Sequence, residues 1–270
     1  MARKMFILWS IILALFLNVV FPVQRSRTNQ PQENKTNTAI AVTQDPIVSE
    51  IVRQVNRDRA LNDLRQLSGE IPICVGTACN TIADRLTGSI GLKWAMDYLY
   101  ENLVSLDYSP ELWNWSASGY SGQDLIVRKA GTITPTEEIH IVAHVDGIRS
   151  TGARSPAADD NASGAVDLLE LARILKGYLF ERTIVLHFST GEEQGTLGVS
   201  TYFNHLSKVE LSRIKFAIDV DMIGFDGNGD HVMELWHGGE APSRDLTQMM
   251  HDTIRAYQLR LNPRLITGCG

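Results

Sequence analysis

Residues 139–146 read Ile139-His140-Ile141-Val142-Ala143-His144-Val145-Asp146, a short apolar run that ends in a histidine and an acid. A run this short and this rich in β-branched side chains fits a strand. Side chains two apart in an extended chain point the same way, so His144 and Asp146 share a side where the strand runs out. In that geometry Asp146 accepts a hydrogen bond from the His144 ring and sets which nitrogen faces outward, as an acid does behind a metal-binding imidazole. The plainer alternative is a surface His and Asp at a strand end.

Working outward, the runs at 112–116, 124–128, 183–188, 216–220 and 232–236 have the same strand character. Residues 162–175, 196–206 and 243–257 between them have helical patterning. Upstream, Ile47, Ile51, Val52, Val55, Leu61, Leu64 and Leu67 continue one helical apolar face that stops at Ser68-Gly69. Leu92, Ala95, Met96, Leu99, Leu103 and Leu106 mark another helix over 91–106. Strand–helix alternation predicts an α/β fold with a mixed, largely parallel central sheet flanked by helices on both faces. The strands before residue 143 lie close enough together for antiparallel hairpins. Open α/β sheets place their sites at the carboxyl ends of strands.

Three more acidic motifs sit at such ends. Ala158-Asp159-Asp160-Asn161-Ala162-Ser163-Gly164 precedes an apolar helix. Capping accounts for one of its acids, though hardly for two and an amide. Gly191-Glu192-Glu193-Gln194-Gly195 follows the 183–188 strand, and adjacent glutamates can divide labour, one ligating a metal and one serving as general base. The run 216–220 delivers Asp221, with Asp219 on the same face. Carboxylates in a strand fit for burial are rare unless paired or bound to a cation. Gathered at one sheet edge, one imidazole and at least four carboxylates would cost several kcal/mol per buried group. The motifs contain no Arg or Lys. Bound cations are the simplest neutraliser, and mixed His/carboxylate ligation fits zinc, with manganese or cobalt as substitutes.

From Arg85-Leu86-Thr87-Gly88-Ser89 to Gly270 these motifs, in this order and spacing, resemble the co-catalytic zinc aminopeptidase family. That family of secreted bacterial aminopeptidases also takes in related carboxypeptidases and glutaminyl cyclases. The resemblance implies metal ligands at His144, Asp160, Glu193 and Asp221, with Asp160 bridging two Zn2+ ions. It further implies that Asp146 orients His144, that Glu192 is the general base, and that the Asp160–Asn161 peptide bond is cis. The implied activity is hydrolysis of N-terminal residues from a peptide substrate. A carboxypeptidase, a glutaminyl cyclase and a non-catalytic receptor-like ectodomain are the alternatives on the same fold. The family pattern needs one more histidine near the end of the domain, and the sequence stops at Thr267-Gly268-Cys269-Gly270 where that region should begin. His231, His237 and His251 stand in the wrong context to replace it. The expectation is an incomplete domain with the second zinc site short of a ligand.

The rest of the chain adds context. Its 270 residues, 44% hydrophobic and 21% charged, suit one ordinary domain, placed at 46–270, plus an appendage. The net charge of -6 and the lack of a basic run exclude nucleic acid as a natural partner. Arg3 and Lys4 precede an apolar run to Val23, long enough at ~1.5 Å per residue to approach the ~30 Å core of a bilayer. Residues 1–23 are read as a signal peptide or a signal anchor, so the protein is exported and either secreted or held at the membrane. Residues 24–45, polar and rich in Asn, Gln and Thr, read as a disordered linker. Cys74 and Cys79 either form a disulfide across a short turn or are two buried thiols; Cys269 stands alone.

Overall fold

The computed structural model describes residues 44–149, 152 and 154–268. The apolar segment 1–23, most of the linker and Cys269 lie outside the described residues. Among the described residues no helix is long and apolar enough to cross a membrane. The chain divides into two compact units, whose described parts are residues 55–225 and residues 44–54 with 226–268.

The apolar face read across 46–67 belongs to two helices, α1 (Pro46–Arg53) and α2 (Arg57–Leu67). The break is local chemistry. Asn56 takes up extended backbone and its side chain accepts from the Arg59 amide, restarting the helix as an N-cap does. Asp45, assigned to the linker, caps α1 through the amides of Ile47 and Val48.

In the first unit a small hairpin, β1 (Ile73–Val75) and β2 (Ala78–Asn80), sets Cys74 opposite Cys79, and the two form a disulfide. Helix α3 (Ile90–Ser105) follows, capped by the Ser89 hydroxyl on the Leu92 amide. The central sheet contains β3 (Glu111–Ala117), β4 (Tyr120–Lys129), β5 (Thr134–His144), β6 (Arg182–Ser189) and β7 (Ile214–Asp219) in the order β3-β4-β6-β5-β7. It is mixed: β5 runs parallel to both β6 and β7, and the β3–β4 and β4–β6 pairs are antiparallel. The chain leaves β5 toward β6 on one side and leaves β6 toward β7 on the other. That reversal opens a crevice at the carboxyl ends of β5 and β6.

The core explains the layers. Ile139, Ile141 and Ala143 of β5 and Ile184, Leu186 and Phe188 of β6 are almost wholly buried. Helix α4 (Gly164–Leu175) packs on these two strands with Ala165, Leu168, Leu169 and Ala172 fully buried. Each such Leu or Ile stabilises by roughly 1.5–3 kcal/mol relative to exposure. The other residues of the same strands meet α5 (Leu197–His205), whose Tyr202 and Phe203 rings lie against His140 and His187. Helix α6 (Lys208–Arg213), which the sequence reading did not assign, carries a capping box between Ser207 and Glu210 and leads into β7. A buried polar knot joins α2, α3 and α4: Arg59 donates twice to Glu170, while Arg173 and the Tyr98 hydroxyl both donate to Asp63.

Strand β7 lies at the sheet edge, so Asp219 is exposed rather than buried as the sequence pattern had it. The run 232–236 is not in the central sheet. It forms β8 (Val232–His237), parallel to β9 (Asn262–Thr267) in a two-stranded sheet of the second unit, with α7 (Ala241–Ala256) as the crossover. The pattern of a short apolar run does not say which sheet receives it. Within that unit the Gln44 side chain donates to Ala256 and the Asp45 amide to the Tyr257 hydroxyl, tying the start of α1 to the end of α7.

Gly91 begins α3 against the main chain at Asp84, whose carbonyl oxygen occupies the space a Cβ would need. Gly91→Ala should therefore lower stability by about 1–3 kcal/mol as overpacking against backbone does. Gly239→Ala, in open space, should stay within about 0.5 kcal/mol. Urea unfolding of both variants checks this.

Candidate metal centre

His144 closes β5 and is 3% exposed. Its Nδ1 lies 3.1 Å from the main-chain oxygen of Asp146 and donates there. In the neutral ring Nε2 then carries no hydrogen; it is buried and has no hydrogen-bond partner. It stands 3.1 Å from Asp160 Oδ1, 3.5 Å from Asp221 Oδ1 and 3.9 Å from Glu192 Oε2. The ligand-capable atoms of His144, Asp160 and Asp221 all lie within 4.8 Å of one another. A lone pair facing carboxylates is repulsive unless a proton or a cation sits between them. With no cation there, the proton stays: burial opposes it, but Asp146 and Asp221 outweigh burial and push the imidazole up to about 11. A metal ion is the other resolution, and the donor set fits one.

The acids of this cluster are less buried than their strands implied, with side-chain exposures of 40% at Asp160, 42% at Asp221 and 35% at Glu192. Burial nonetheless raises the Glu192 carboxyl, and the neighbouring acids add to it. Glu193 stands outside the cluster of three. Its Oε1 is buried without a hydrogen-bond partner, and burial followed by repulsion from Asp160 holds the carboxyl up at about 7.

Asp146 is fully buried, but its carboxylate does not hold the His144 ring as the strand geometry had it; Oδ1 is 3.7 Å from Nδ1. The backbone carbonyl of the same residue takes that bond. The carboxylate instead accepts from the amides of Glu192 and Glu193, each at 3.2 Å, and from the Thr87 hydroxyl at 3.0 Å. One residue thus fixes the imidazole tautomer through its main chain and the Glu192–Glu193 turn through its side chain.

The other loops are braced in the same manner. Arg85, 0% exposed, donates to the carbonyls of Val145, Leu67, Pro156 and Ala157, gripping the chain just before Asp146 and just before the Asp160 loop. Burial lowers this guanidinium to about 10, while Asp146 and Asp160 work against the fall. The Asp160–Asn161 peptide bond is cis. Asn161 Nδ2 donates to Val220, Ser163 accepts from the Ile223 amide and Asp159 from the Gly224 amide, so the 159–163 loop holds the segment that carries Asp221. Arg85 and Thr87 enter the sequence reading only through the family resemblance. Their roles depend on which carbonyls and acids the fold brings to them, and an isolated Arg in a polar stretch gives no such signal.

His231, His237 and His251 lie in the second unit, and none belongs to the metal-type cluster among the described residues.

The aminopeptidase YwaD of Bacillus subtilis is 35% identical over 105 residues, which is 38% of this chain and 22% of that protein, so the chain spans about a fifth of that relative. The solved structure of BSAP, a zinc aminopeptidase from Bacillus subtilis, superposes with a TM-score of 0.58 at 14% identity, covering 77% of this chain and 84% of that one. A glutaminyl cyclase from Macrostomum lignano superposes at 0.63 with 15% identity over 87% and 78% of the two chains. These likenesses establish the fold. The profile of Peptidase family M28 matches residues 125–267, 143 of the 270 residues and thus more than half, and the chain belongs to that family.

Proposed function

We propose that this chain carries the catalytic machinery of an exported zinc-dependent exopeptidase, an aminopeptidase that hydrolyses N-terminal residues from peptides. The observation that carries the reading is the unpartnered Nε2 of His144 facing Asp160 and Asp221 beside a carboxylate, Glu192, that is free to act on water. His144, Asp160 and Asp221 would hold one zinc ion, and Asp160 with Glu193 would contribute to a second. Zinc bound there supplies Lewis acidity toward the scissile carbonyl and toward water. Family membership and the zinc aminopeptidase fold of BSAP support that choice of metal. Export rests on the basic-then-apolar segment 1–23.

The proton traffic belongs to Glu192. Its raised pKa makes it a better base than an exposed glutamate. Its Oε2, 3.9 Å from His144 Nε2, supports the reading in which it takes a proton from the attacking water and returns it to the leaving amine. Asp146 keeps that carboxylate in place through the Glu192 amide. A free substrate amino group is a cation, which the excess of carboxylates around Asp160 favours; that supports the amino over the carboxy terminus as the end recognised.

In the protein, Glu192→Gln should retain its zinc and lose about 10²–10⁴-fold in kcat on aminoacyl-peptide substrates, as removal of a general base does. Free and N-blocked versions of one peptide, assayed with and without chelator, check the end preference; activity on the blocked peptide alone would sink the aminopeptidase reading.

The same cluster fixes how metal-free stability depends on pH. His144, at about 11 in the fold, keeps a proton that an unfolded histidine releases near ~6.5. Glu193, at about 7, keeps one that an unfolded glutamate releases near ~4.3. Both groups bind more protons in the folded chain, so both contributions are full below the unfolded pKa and are lost as pH rises through the folded one. The chain in chelator should lose thermal stability from about pH 4 to about pH 11, through Glu193 up to about pH 7 and through His144 from about pH 6.5 upward, and zinc should flatten that slope. Thermal unfolding across that window, with and without zinc, measures it.

A further inference from the structure

The Glu192–Glu193 turn is held on one side by Asp146, and the structure assigns a second anchor on the other. Asp124, in the middle of β4, is a carboxylate with 0% exposure. Its Oδ1 accepts the Thr190 amide at 2.8 Å, the Thr190 hydroxyl at 3.0 Å and the Trp115 indole N–H at 3.1 Å. Oδ2 faces His187 Nε2 at 2.8 Å. The Trp115 N–H also reaches the Thr190 hydroxyl at 2.9 Å. We propose that Asp124 is a positioning residue that sets the direction in which the chain leaves β6 and so the place of the Glu192 carboxylate.

The packing around it is fitted to that task. Gly191 has φ +75° and lies flat against the Trp115 indole, with no room for a Cβ. Gly198, in the first turn of α5, has equally little room: a Cβ there would stand 2.5 Å from Asp124 Oδ1 and 2.8 Å from Oδ2. The turn is closed by the Leu197 amide on Gly191 and the Gly198 amide on Thr190. Two buried carboxylates therefore take the amides of residues 190, 192 and 193 between them. Losing the Asp124 end would leave the Thr190 amide buried without an acceptor and let the turn pivot about Asp146. A general base displaced by a fraction of an ångström loses turnover while substrate binding changes little.

The effect on turnover rests on the assignment of Glu192 as base, whereas the hold on the turn does not. Two readouts on the zinc-loaded protein therefore separate them, amide hydrogen exchange over 190–194 and steady-state kinetics. For Asp124→Ala, exchange in that segment should speed by about 10-fold or more while β5 and the body of β6 keep parental protection. Its kcat should fall about 30-fold or more with KM within about twofold and zinc content unchanged. Asp124→Asn keeps an oxygen for the Thr190 amide but loses the charge; exchange should speed by about threefold or more and kcat should recover most of the loss. Parental exchange over 190–194 in Asp124→Asn, or in a folded Asp124→Ala, overturns the proposal, as does a loss of activity carried by KM. If the parent protein cleaves no peptide while exchange responds as expected, the anchoring stands and the aminopeptidase reading falls.

Discussion

Everything at this sheet edge follows from an imidazole lone pair aimed at carboxylates. His144 can face Asp160 and Asp221 only with a positive charge between them, its own second proton or a bound cation, and among the described residues no Lys or Arg stands at contact distance. The buried cation nearest in its effect, Arg85, directs its N–H groups at four backbone carbonyls. Its charge steadies Asp146 and Asp160 through space without occupying the Asp160 oxygens. An ion pair to Asp160 would have neutralised the cluster and abolished it as a ligand set. Keeping the guanidinium on carbonyls leaves the acids in need of a cation, which is the condition for binding a divalent metal.

Much of this was legible along the chain because strand ends and acidic motifs coincide. The strands at 112–116 and 183–188 emerge with one residue added at each end, those at 124–128 and 139–143 emerge about twice as long, and His144, Asp160, Asp221 and Glu192 come together at one end of the sheet. What stayed hidden depends on sheet order. The run 232–236 pairs with β9 in the second unit, a choice made by partners more than twenty residues away. Asp146 keeps its supporting place but works through a carbonyl for His144 and through its carboxylate for another loop, because the strand ends at His144 and the two-residue alternation ends with it. Asp124 reads as one more residue of an alternating strand. Only the pairing of Leu125 with Phe188 brings it beside the exit of β6.

The order β3-β4-β6-β5-β7 also decides how each functional loop is held. Strand β6 has a neighbour on both sides, so its exit turn is gripped from β4 by Asp124 and from the end of β5 by Asp146. Among the described residues strand β7 is at the edge and pairs only with β5. Its exit segment cannot be held from two strands, and the amides of Ile223 and Gly224 are instead taken by Ser163 and Asp159, which flank Asp160. Both exit segments are thus fastened in part by residues within three positions of another candidate ligand. Hydrogen bonds from backbone amides to buried carboxylates are among the stronger ones available. A displacement of one loop must therefore be felt at its neighbour, and the centre behaves mechanically as one object although its residues come from four separate motifs. The chain can tolerate a charge cluster that opposes folding because that cluster is spread over loops whose backbone is tied down by other acids.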